Sequence, residues 1–266
     1  MKAAYKTGAE LYGDDFSPED IADWFAAEQL GYYDTREGVG GTHTHALNAR
    51  HGFRHLADHY ENCLALGCAD GDELLPIADR VGKFIAVEPA KPWWRDRIGN
   101  TPAEYRMPEQ SGTLDIPDQS VELVLCFSVL HHIPNVSAVL RELARVAKPG
   151  ALMLIKEPSS AMGDWTQPRP GLTKNERGIA PQWMLRTASA HGWTLRRLKH
   201  CDSGPIRRGA MALGNLQPFN SPAIVALDNL VCTATKFLHR YWRTKPLHKL
   251  APGLAYYVFE RKHSEA

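Results

Sequence analysis

Leu64-Ala65-Leu66-Gly67-Cys68-Ala69-Asp70-Gly71 is the stretch whose reading decides the fold of this 266-residue chain. It reads as the end of a buried strand followed by a small-residue turn that opens a helix. A second apolar run follows and ends on Glu88. Strand, tight turn, helix, then a strand tipped with one carboxylate is an order that suits an adenosine ligand. The carboxylate can accept hydrogen bonds from two ribose hydroxyls. Gly67 and Gly71 lack a Cβ and can take left-handed conformations, and Ala69 is the smallest side chain that leaves the turn nearly unobstructed. The backbone of Gly67, Cys68, Ala69 and Gly71 is therefore expected to border the ligand. Glu88 is expected to take the ribose; the plainer alternative is a solvated strand-end carboxylate before Pro89.

Spacing narrows the ligand. A dinucleotide fingerprint sets its second and third glycines three apart and rests a pyrophosphate on the helix N-terminus. Here Ala69 and Gly71 are two apart, and Asp70 and Asp72 flank the helix start. Two carboxylates repel a pyrophosphate but sit comfortably beside a cationic sulfonium or ammonium. The turn resembles motif I of the class I S-adenosylmethionine-dependent methyltransferases, with two departures: Ala65 stands where many members carry an acid, and Ala69 replaces a common glycine.

A second segment points the same way. Asp118-Gln119-Ser120-Val121-Glu122-Leu123-Val124-Leu125-Cys126-Phe127 runs from a turn into a β-favouring stretch. Val129-Leu130-His131-His132-Ile133-Pro134 follows, and then an amphipathic helix that stops at Pro149-Gly150. Asn135 is its expected cap, with Val136, Val139, Leu140, Leu143 and Val146 on one face. The segment is similar to strands four and five of the same family, in order and spacing. The resemblance implies a Rossmann-like α/β fold, a mostly parallel seven-stranded sheet with helices on both faces, and S-adenosylmethionine as cofactor. By that alignment Gln110 and Ser111 face the adenine edge and Phe127 borders the cofactor, unless Phe127 is simply core.

The same resemblance puts His131 and His132 at the rim of the cleft as catalytic candidates. In several small-molecule members the histidine matching His132 takes a proton or holds the substrate. Methylation of a hydroxyl needs such a base, because the oxygen is a poor nucleophile until its proton has somewhere to go. The competing reading makes the pair a helix-start element.

Beyond strand five, Lys156-Glu157-Pro158 leads into a charged stretch with Asp164, Trp165, Arg169 and Lys174. Its place over the strand ends makes residues 158–179 a candidate substrate lid, with Glu157, Asp164, Trp165, Arg169 and Lys174 as substrate contacts. A solvated loop is the alternative. The text, with Leu11-Tyr12-Gly13-Asp14-Asp15-Phe16, also resembles a bacterial methyltransferase subgroup associated with surface polysaccharides.

Organisation follows from these anchors: a helical cap over 1–60, a cofactor-binding core over 61–201, and a helical insertion with a final strand over 202–266. Ser17-Pro18 caps the first long helix. A second helix is expected over 45–60, and a third from Ser221-Pro222 to Trp242. His51, His55 and His59 recur at a spacing metal ligands can use, but no zinc pattern accompanies them and no metal is expected. His43 and His45, beside Gly38–Gly41, are placed to close over the cofactor.

Composition sets the remaining bounds. No run of about 18 apolar residues exists to span a membrane, and the first residues lack the apolar stretch of a signal peptide. Five scattered cysteines read as reduced thiols, so a cytoplasmic location is expected. Residues 1–62 hold five Lys and Arg against eleven Asp and Glu, whereas residues 196–266 hold twelve against four. Either the acidic front packs on the basic tail, or the tail is a surface for an anionic substrate, a carrier or a membrane face. Without basic runs interleaved with aromatics, nucleic acid is not an expected partner. The expected partner is a small or carrier-bound methyl acceptor, with oxygen the favoured site. Regulatory S-adenosylmethionine binding without turnover is the alternative, and a nicotinamide oxidoreductase is disfavoured by the turn. Oligomeric state is not legible.

Overall fold

A computed structural model describes residues 2–36, 44–169 and 171–263. Helices α1 (Ala3–Thr7), α2 (Pro18–Arg36) and α3 (His45–His51) precede the sheet. The strands are β1 (Tyr60–Leu66), β2 (Val81–Val87), β3 (Arg97–Ile98), β4 (Thr101–Arg106), β5 (Val121–Phe127), β6 (Ala147–Pro158), β7 (Trp193–Ser203) and β8 (Pro252–Arg261). Their spatial order is β3-β4-β2-β1-β5-β6-β8-β7. The sheet thus has eight strands rather than seven. The extra one is β3, two residues that fold back antiparallel on β4. Strands β4, β2, β1, β5 and β6 run parallel, and β8 enters antiparallel between β6 and β7.

The central parallel strands β1, β2, β5 and β6 carry apolar runs buried on both faces, because helices and long loops cover both. One apolar cluster gathers Leu64, Val124, Leu140, Met153 and Tyr257; the other gathers Leu47, Phe53, Phe84, Leu125 and Tyr256. Helix α4 (Val136–Val146) buries Val136, Val139, Leu140, Leu143 and Val146, the stripe its spacing predicts. Helix α5 (Pro181–Ala190) leads into β7.

Several local expectations need correction. Asp72–Arg80 winds as a 3-10 helix with Pro76 inside it, since proline removes an amide that an α-helix would use. Asn135 makes no side-chain cap on α4; its amide donates instead to the Gln110 carbonyl at 3.1 Å. The Ser137 amide at that end is taken by Asp14 at 2.7 Å, 123 positions away in the chain. Ser17 does cap α2, its hydroxyl accepting from the Asp20 amide at 3.2 Å.

The helix expected over 45–60 stops at His51. His51, His55 and His59 therefore share no face: His51 is buried, His55 ends a 3-10 turn, and His59 is exposed. His43 and Gly38–Gly41 lie outside the described residues, while His45 Nε2 bonds the Asp72 carbonyl at 2.7 Å.

In the C-terminal insertion, α6 (Gly204–Ala212) was not expected, and α7 (Pro222–Thr235) ends seven residues short of Trp242. Among the described side chains, no ion pair joins a carboxylate of 2–28 or 44–62 to a Lys or Arg of 196–263. The two regions meet through packing: Leu47 and Phe53 share an apolar cluster with Phe219 and Val225, Tyr241 packs under Gly8, and the Lys6 ammonium sits 5.7 Å from the Trp242 ring.

Candidate active site

Register aligns Leu66 with Val87 and Cys126, and Phe127 with Lys156. The residues that follow β1, β2, β5 and β6 therefore emerge along one sheet edge, where open α/β sheets place their ligands.

At one end stands the turn after β1. Gly67 (φ 60°), Ala69 (φ 51°) and Gly71 (φ 84°) all take left-handed backbone. Glu88 is 2% exposed and holds the turn in shape. Its Oε2 accepts from the Ala69 amide at 2.9 Å and its Oε1 from the Ala90 amide at 3.0 Å. Tyr105 donates its hydroxyl to the Ala69 carbonyl at 2.8 Å and stacks on Trp94. The glycines answer to packing. A Cβ on Gly67 would stand 2.5 Å from the Val129 methyls, and one on Gly71 would stand 2.5 Å from Ile98. Cys68 is half-buried, its thiol pushed up to about 12 by burial, so it serves as a neutral filler.

These groups fit an adenosyl ligand with a cationic tail. Asp70 and Asp72 put acid at the turn, where a pyrophosphate would need amides and a positive end. Gln110 and Ser111 are exposed beyond β4; Gln110 is fixed through its carbonyl by Asn135, and the Ser111 hydroxyl lies 3.0 Å from that of Thr113. Phe127 lies between Phe53 and Tyr256, under the Lys156 ammonium at 5.1 Å. Buried Lys156 donates to Thr44 Oγ1 at 2.5 Å and to Glu73 Oε2 at 3.3 Å, tying β6 to α3.

The histidine pair stands at the other end, in a 3-10 turn over Leu130–His132. Glu157 Oε1 accepts from the amides of Val129 and Leu130, both at 2.8 Å, and its Oε2 takes His131 Nδ1 at 2.7 Å. His131 Nε2 faces Glu176 Oε1 at 3.4 Å. Burial pushes the His131 imidazole down, but the two carboxylates outweigh it and raise it to about 9. Glu176 is pushed up by burial and pulled down further by the two histidines, to about 2. His131 is thus an imidazolium with both nitrogens engaged, an arrangement suited to holding the turn. Glu157, 1% exposed, has its oxygens committed to the same task.

His132 is different. Its side chain is 30% exposed, and Nδ1 donates to Glu28 Oε2 at 2.8 Å. Glu28, from α2, also accepts from the Thr173 hydroxyl at 2.7 Å. Trp24, one turn earlier, donates its indole N–H to the His132 carbonyl at 2.8 Å. A carboxylate on Nδ1 keeps the proton there and leaves Nε2 as the acceptor. His131, His132 and Glu176 also bring three ligand-type atoms within 4.8 Å of one another. A cation there would have to compete with the His131 imidazolium, which already sits between the two carboxylates.

Arg177 binds the segment over the strand ends to this turn. It is fully buried and donates to the carbonyls of Tyr12, Leu130, His131, Ile133 and Pro134 at 2.8–3.2 Å. Trp165 is buried, stacked on Tyr12 and edge-on to Trp242, which makes it an anchor of the segment. Asp164 is exposed and closes a local turn onto Thr166. Arg169 is partly buried, and its guanidinium donates to the carbonyls of Met162, Thr173 and Lys174. Lys174 is exposed.

Sequence reasoning missed Glu28, Glu176 and Arg177. Glu176 and Arg177 lie in the charged stretch it had flagged. Glu28 had no local signal, since its partner is 104 positions away.

Comparison with known proteins agrees with this geometry. Residues 64–155 match the family model of the methyltransferase domain. A 37.1 kDa uncharacterized protein in transposon TN4556 of Streptomyces fradiae is 28% identical over 144 residues, 52% of this chain. The chain spans only 38% of that relative. Among solved structures, the [4+2]-cyclase SpnF superposes with a TM-score of 0.57 at 16% identity, covering 92% of this chain and 96% of its own. An S-adenosylmethionine-dependent methyltransferase from Mesorhizobium loti gives 0.52 at 13% identity, covering 81% and 96%. At such identities the likeness is one of fold: an α/β Rossmann-like methyltransferase fold. The cyclase among these neighbours means that fold alone does not name the reaction.

Proposed function

We propose that the protein is an S-adenosylmethionine-dependent methyltransferase that methylates a hydroxyl of a small or carrier-bound acceptor, such as a sugar. The observation that carries this reading is the His132–Glu28 pair, one ring nitrogen bonded to a carboxylate and the other left to accept a proton. S-adenosylmethionine supplies a methyl group on a positively charged sulfur. The chain's own part is to align, exclude water and receive a proton. Glu88 and the turn from Gly67 to Gly71 would hold the adenosyl end, with Gln110 and Ser111 toward the adenine. His132 Nε2 would take the acceptor's proton, while Glu28 stabilises the resulting imidazolium. His131, Glu157 and Arg177 act as positioning residues that fix the turn carrying His132. Arg169 and Lys174, on the segment over the strand ends, are the groups nearest in sequence to meet an anionic acceptor.

The test is methyl transfer from radiolabelled S-adenosylmethionine to pools of hydroxyl-bearing acceptors. Replacement of His132 by Ala should slow transfer by about 100-fold or more, the usual scale for a general base, with cofactor affinity within a few-fold. Glu28→Gln should show a smaller loss in the same direction. Near-native activity in His132→Ala would mean that the acceptor needs no base, as for an amine already deprotonated. Cofactor binding with no product from any pool would favour the regulatory alternative.

A further inference from the structure

We infer that the insertion formed by α6 and α7 docks on an anionic phospholipid surface. Helix α7 is apolar on its outward face as well as its inward one. Its inward face carries Val225, Cys232 and the one charged residue, Asp228, which is 0% exposed. That carboxylate is used up by the amides of Asp202 and Ser203 at 3.1 and 2.6 Å. The outward stripe is Ala223, Leu227, Leu230, Ala234 and, just past the helix, Phe237, at three- and four-residue spacing. Leu230 and Phe237 are 66% and 71% exposed. Across the described residues, eight of the eleven large apolar side chains left exposed fall within 204–250, including Leu213 at 90% and Leu216 at 72%. Contiguous exposure of this kind marks an interaction face.

Charge selects the occupant. Residues 204–250 hold seven Lys and Arg and no acid other than the buried Asp228. Lys236, Arg240, Lys245 and Lys249 are exposed beyond the end of α7, beside the apolar stripe. An exposed apolar stripe in a segment whose exposed charges are all positive matches an anionic lipid interface, where side chains enter the headgroup boundary and Lys and Arg meet phosphates. A second copy fits poorly, because a two-fold contact through this patch would set each basic rim against its twin. The face also connects to the candidate lid. The Ala161 amide donates to the Tyr241 carbonyl, and the Tyr241 hydroxyl donates to the Gly178 carbonyl, both at 2.8 Å.

The test is co-sedimentation of the full chain with vesicles of phosphatidylcholine alone or of phosphatidylcholine and phosphatidylglycerol in a seven-to-three ratio. Binding is expected only to the anionic vesicles and should weaken as salt rises. The pairs Leu230→Gln with Phe237→Gln, and Lys236→Glu with Arg240→Glu, should each lower the partition coefficient at least about tenfold with melting temperature unchanged. All four side chains are exposed, so these variants should fold. Failure of the folded protein to bind anionic vesicles, or binding indifferent to both pairs, would overturn the inference. So would a dimer in light scattering that the apolar pair dissociates, which would assign the face to a second copy.

Discussion

His131 and His132 are adjacent in sequence and carry different chemistry because their carboxylate partners differ. His131 lies between Glu157 and Glu176 in a buried site, whereas His132 is held by one carboxylate and keeps a free edge. The consequence for stability has a definite sign. The folded-state value for His131 is raised to about 9, above the ordinary 6.5, so its contribution is fully present below about pH 6.5 and is lost as pH rises through 9. Melting temperature should accordingly fall by several degrees between pH 6.5 and 9. His131→Gln should be less stable at pH 6.5 and should lack that decline. An equal slope in both proteins would remove the imidazolium from the site. The resemblance singled out His132 as the candidate base, but the residues alone gave no reason for the difference, since Glu28 and Glu176 reach the pair across long stretches of chain.

At the level of elements, the turn after β1 owes its shape to what packs on it as much as to its own residues. Gly67 combines a left-handed φ with Val129 filling the space a side chain would need. Gly67→Ala should therefore cost at least about 2 kcal/mol, combining backbone strain with a clash. Adding Val129→Ala should relieve the clash but not the strain. Denaturant titration of the four proteins in the cycle should return a coupling of at least about 0.5 kcal/mol; strictly additive effects would mean the two do not meet. Strands and α4 were legible because their apolar periodicity is local. The 3-10 helix after the turn, the early stop of α7 and the unanticipated α6 were not. The first contains Pro76, which an α-helical reading of the stretch does not accommodate; in α7, apolar spacing continues past the point where Thr235 gives way to a 3-10 turn and then Tyr241 turns under Gly8.

For the whole molecule, a mostly parallel α/β sheet was readable from two motifs in register, and the match of residues 64–155 to the methyltransferase domain rests on the same text. The charge asymmetry was equally plain in the sequence, but its meaning was not. The acidic front and basic tail meet through Tyr241, Trp242 and the packing of α3 on α7, and Lys236, Arg240, Lys245 and Lys249 stay exposed. The central claim is that the β1–β2 edge takes S-adenosylmethionine through Glu88. Calorimetric titration of the wild-type protein and Glu88→Gln tests it most directly. Saturable binding of S-adenosylmethionine but not of a nicotinamide dinucleotide is expected. Glu88→Gln should weaken it at least about tenfold, since the substitution removes the charge from two hydrogen bonds. No heat from S-adenosylmethionine with the folded wild type, or equal affinity in the variant, would contradict the account.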